Sequence, residues 1–68
     1  MTLSEVIRDR GIKLRAVADR IGIAPYTLTR KINGDLQFKM SEVAAISDYL
    51  RLTAEEREDI FFRQKVDE

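Results

Sequence analysis

Two residue types that carry much of protein chemistry are missing from this 68-residue chain: it has no cysteine and no histidine. Without cysteine there is no disulfide and no thiolate metal site. Without histidine as well, the usual nucleophile–base pairs and zinc sites are excluded. The charges, 12 basic and 12 acidic, cancel to zero, so net charge selects no partner class. No apolar run approaches the ~20 residues of a membrane span, and no signal peptide is evident. The expected compartment is the cytoplasm, with no cofactor, metal or small-molecule ligand evident. Proline occurs once and glycine three times. No proline falls inside a helical pattern, and there is no low-complexity segment or internal repeat.

The residues that are present describe a small helical domain. Hydrophobic content is 44% and charged content 35%, which suits a compact soluble fold rather than a disordered tail. A chain of this length forms one domain at most, with a small core. Its charge is polarised. Residues 1–40 hold eight lysines and arginines against four acids, and residues 41–68 hold four against eight. A basic front suits a polyanion such as nucleic acid, although scattered charge on a solvated face reads the same way.

Local signals divide the chain into five helices. Thr2 and Glu5 form a capping box before Leu3, Val6, Ile7 and Arg10, giving a helix over about 3–10 that stops at Gly11. Leu14, Val17, Ala18 and Ile21 form the stripe of a second helix, ending at Gly22. Pro25 fits the first turn of a third, Leu28 and Ile32 share its inward face, and Asn33-Gly34 closes it. The loop "DLQFK" follows, with Phe38 as its buried anchor. Met40 to Leu50 makes a fourth helix with Val43, Ile46, Ser47 and Leu50 on one side. Thr53 and Glu56 form a second capping box, opening a fifth helix through about Phe62. The expected fold is all-α, a compact five-helix bundle, with the domain over 1–63 and a flexible tail over 64–68.

The second and third helices, joined at Gly22, form a helix-turn-helix. With Leu28 and Ile32 pointing inward, Tyr26, Thr27, Thr29 and Arg30 are left outward or on the flanks. Such a polar display has a purpose if the third helix lies in the major groove of double-stranded DNA. Tyrosine and threonine donate and accept hydrogen bonds, and Arg30 can fork onto guanine or clamp a phosphate. Exposed threonine and arginine are also ordinary surface in any helical bundle.

The stretch "GIKLRAVADRIGIAPYTLTRKING" resembles the helix-turn-helix of the lambda-repressor/Cro family, also called XRE. Gly11, Ala18, Gly22, Ile23, Thr27, Leu28, Thr29, Asn33 and Gly34 match or nearly match its pattern. Together with "TRKINGDLQFKMSEV" and "LTAEEREDIFF", the chain is similar over about residues 3–63 to short phage and mobile-element regulators of Gram-positive bacteria. The resemblance implies a bacterial or phage-encoded transcriptional regulator, repressor-like. It implies Tyr26, Thr29 and Arg30 at base edges, and Lys13, Thr27, Asn33 and Lys39 on phosphates. Helix 4's free N-terminal N–H groups would assist Lys39. Several positions depart from the pattern. Leu14 stands where the family often has glutamine, Lys13 and Lys39 where threonine is expected, and Ala24 where a serine commonly caps. Pro25 takes the first base-reading position.

Such domains gain affinity as two-fold dimers, so a homodimer on DNA is expected. Phe61 and Phe62 are the candidate apolar contacts, unless both complete the core. No dimerisation domain, ligand pocket or cleavage site is expected beyond residue 68. A protein-interaction module, such as an antitoxin-like or adaptor protein, stays open as a second class. Net charge zero, Leu14 and Pro25 lean that way. An enzyme is the least expected class, because Glu55, Glu56, Glu58 and Asp59 read as a solvated helix face without histidine, cysteine or a phosphate loop.

Overall fold

A computed structural model describes residues 1–62, in which every regular element is helical. The expected tail at 64–68 lies outside the described residues. Helix α1 spans Leu3–Asp9, α2 Leu14–Ile21, α3 Pro25–Ile32, α4 Met40–Leu50 and α5 Ala54–Arg57. α5 runs on into a π-helical turn, Glu58–Phe62, where an unbroken α-helix was expected.

The helix starts are of two kinds. At α1 the Thr2 hydroxyl accepts the Glu5 N–H at 3.2 Å, and Glu5 accepts the Thr2 N–H at 3.0 Å. At α5 Thr53 and Glu56 repeat this reciprocal box at 3.0 and 2.9 Å. By contrast, Lys13 and Ala24 begin α2 and α3 with no side-chain cap, so these helices depend on packing for their starts.

The helix ends are alike. At the close of α2, Ile23 N–H reaches back to the Ala18 carbonyl at 3.0 Å and Gly22 N–H to that of Asp19 at 3.3 Å. This Schellman closure needs a left-handed residue, and Gly22 supplies it at φ 80°. The α3 end repeats it, with Asp35 N–H on the Arg30 carbonyl at 2.9 Å and Gly34 N–H on that of Lys31 at 3.2 Å. α4 closes the same way without glycine. Leu52 N–H bonds the Ser47 carbonyl at 2.9 Å, and Arg51 takes φ 55°.

The core is drawn from α1 to α4 and from the π turn, while α5 itself buries no residue. Leu3, Val6, Ile7, Val17, Ala18, Leu28, Val43, Ile46, Leu50, Ile60 and Phe61 are buried. Ile32 and Phe38, expected as inward anchors, are half-buried against this cluster. Phe38 is therefore a side wall of the core rather than its centre. In the π turn Ile60 and Phe61 are neighbours and both buried. Arg10 ties the ends together. Its guanidinium donates to the Leu50 carbonyl and lies 3.4 Å from the Glu56 carboxylate.

Candidate nucleic-acid interface

Helix α2 sets the position of α3. Val17 and Ala18 have no solvent exposure, and small Ala18 lets the two helices cross closely. Leu28 is likewise fully buried and fixes the rotation of α3 about its own axis. The opposite side of α3 then follows from helical geometry. Tyr26 is 73% exposed, Arg30 is exposed, and Thr27 and Thr29 lie half-buried on the flanks.

The two threonines are not equivalent. Thr29 Oγ1 donates to the Pro25 carbonyl one turn back, at 3.1 Å. Its proton is engaged within the helix, so it offers an incoming group its lone pairs and its methyl. The Arg30 guanidinium has no polar partner among the described residues, whereas its carbonyl receives the closing bonds of α3. Lys13 and Asn33, at the start of α2 and the end of α3, are exposed.

Lys39, also exposed, starts α4, and of the N–H groups there its own is already engaged. Its own N–H donates to Glu42 Oε1 at 2.9 Å. A lysine ammonium cannot accept a hydrogen bond, so only the glutamate half of a capping box forms. Glu42 is buried at 8% exposure and pairs with Lys31 at 3.0 Å. Burial pushes its carboxyl up, but the Lys39 N–H, the Lys31 hydrogen bond and the charges of Lys31 and Lys39 outweigh that. The net position is below the ordinary carboxylate value.

This arrangement — two packed helices, a left-handed glycine turn, and a polar face held outward by a buried leucine — goes with a family match in the sequence. The family model for the Cro/C1-type helix-turn-helix DNA-binding domain matches residues 2–56. The chain belongs to this family. No curated protein and no solved structure gives a significant match. As a Cro/C1-type domain it is a DNA-binding module, and among the described residues no helix is long and apolar enough to cross a membrane.

For a Cro/C1-type domain the lysine pattern holds a surprise. Lys31 stands beside Arg30 in α3, yet its side chain is only 8% exposed. Sequence reasoning counted it among the basic front and gave it no role. A signal was present: Lys31 lies three residues after Leu28 and next to Ile32, on the inward side of the helix. Phe61 is core, its ring packed on Phe38, whereas Phe62 is 37% exposed. Of the two candidate dimer contacts, only Phe62 presents an apolar surface. It lines a cleft together with Met40 and Leu36, which are 68% and 37% exposed.

Proposed function

We propose that this chain is a sequence-specific, repressor-like transcriptional regulator of double-stranded DNA, acting in the cytoplasm of a bacterium or encoded by a phage. Residues 1–63 form the binding domain, and α3, with Asn33, enters the major groove. Tyr26, Thr29 and Arg30 meet base edges. Lys13, Thr27, Asn33 and Lys39 hold phosphates on either side. The single observation behind this reading is the burial of Leu28, which turns a tyrosine, two threonines and a free arginine away from the core.

A second copy completes the regulator. One α3 reads only a few base pairs, and a two-fold dimer reads two half-sites about one helical turn apart. Phe62, Met40 and Leu36 form the apolar patch on which the copies meet. That same patch favours a second reading, a protein-interaction module whose basic face is incidental. Selection of bound sequences from a random duplex pool, followed by a salt-titrated gel shift, separates the two. A defined, inverted-repeat site with a steep salt slope supports the regulator. No enrichment and no shift at low salt rejects it in favour of the interaction module.

A further inference from the structure

Lys31 and Arg30 are adjacent cations in α3, but they are placed in opposite environments. Arg30 is exposed, and Lys31 is withdrawn into a network that crosses from α3 to α4. Its ammonium meets Glu42 Oε1 at 3.0 Å and donates to the Gln37 carbonyl at 3.0 Å. It also lies 6.0 Å from the centre of the Phe38 ring. Glu42 Oε1 accepts the Lys39 N–H at 2.9 Å as well. The backbone is thus held on both sides of Phe38, at Gln37 and at Lys39, and both holds end on one ion pair. Replacing a buried pair of this kind by apolar groups often leaves stability unchanged or raises it, so stability is a weak account of its presence. Geometry is the stronger account.

We propose that Lys31 and Glu42 are positioning residues for DNA binding: they fix the Gln37–Lys39 stretch against α3, so that Lys39 grips phosphate in register with the α3 face. Lys31 itself touches no DNA. The inference rests on the docking mode proposed above.

The test is a cycle on the log-affinity against log-salt slope for the selected site. Lys39→Ala is made in the parent and in Lys31→Met/Glu42→Gln. That double variant keeps the net charge and leaves an amide oxygen for the Lys39 N–H. In the parent, Lys39→Ala is expected to shrink the slope by about 0.9, the value of one phosphate contact. In the uncharged background it is expected to shrink it by less than half of that. Equal shrinkage in both backgrounds overturns the proposal, since Lys39 then grips phosphate without the pair. No shrinkage in the parent removes Lys39 from the interface, overturning the docking mode and the inference built on it. Lys31→Arg, which retains the pair, is expected to keep the parent's slope, and a lost slope there also overturns the proposal. Thermal melts show that each variant is folded. If the double variant is not, Lys31→Gln/Glu42→Gln, which removes both charges and keeps a polar group at each position, serves as the background with the same readings.

Discussion

The rings of Phe38 and Phe61 meet edge to face, with centroids 5.2 Å apart and planes at 85°. This contact joins the α3–α4 loop to the π turn at the far end of the chain. Edge-to-face pairs contribute about 0.5–1.5 kcal/mol beyond area burial. Because Phe38 is only half-buried, Phe38→Ala is expected to cost about 2–3 kcal/mol, below the range for a fully buried phenylalanine. Chemical denaturation measures it. A cost under about 0.5 kcal/mol, the scale of a surface substitution, would mean that the loop is held by its polar bonds alone.

Arg51 gives an opposite sign. It takes φ 55° at a position where α2 and α3 have glycine. A left-handed conformation costs an L-residue about 1–2 kcal/mol, and glycine's greater unfolded freedom offsets about 0.5–1 of that. Arg51→Gly is expected to stabilise the domain by about 0.5–1 kcal/mol. A lower melting temperature in the variant would refute this.

Arg30→Ala is expected to cost about 1–3 kcal/mol on the selected site and to relax preference at one base position. If the loss is equal on random duplex, Arg30 holds phosphate instead. Unchanged affinity on both would take it out of the interface.

Acid weakens the fold through Glu42. Its carboxyl titrates below the ordinary 4.5 when folded. The group therefore stabilises the fold fully above that ordinary value, and the contribution disappears as pH falls through the lower folded value. Glu42→Gln lacks this component. Unfolding curves at neutral pH and at about pH 3 are expected to show a smaller acid loss in the variant than in the parent. Equal losses would assign the acid sensitivity to other carboxylates.

The sequence was legible where the signal is local. Thr2 with Glu5, Thr53 with Glu56, Pro25 and Gly22 mark helix ends within a few residues, and α4 runs Met40–Leu50 as read. The inward side of α4 is buried at each expected position: Val43, Ile46, Ser47 and Leu50. Legibility failed where a residue's role is set from a distance. Lys31 faces inward on helical spacing, but its partner lies eleven positions on and meets it only after the loop folds back. The π turn over Glu58–Phe62 carries no local marker, since the capping box that opens α5 reads the same for an unbroken α-helix. The bond from Thr29 to Pro25 is local, yet threonine's hydroxyl chooses between its own helix and an outside partner, and type and spacing do not reveal which.

The uncapped start of α3 carries a consequence for proton exchange with solvent. Leu28 N–H is bonded to the Ala24 carbonyl at 3.0 Å, but the N–H groups of Tyr26 and Thr27 have no acceptor among the described residues. Their amide protons are expected to be replaced by deuterium at nearly the rate of an open chain, with Leu28 far slower. These two amides sit on the helix proposed to enter the groove. A duplex lying across them sets a clock of its own, and the slowing of Tyr26 and Thr27 on adding DNA reports contact at the tip of α3 without altering a single side chain.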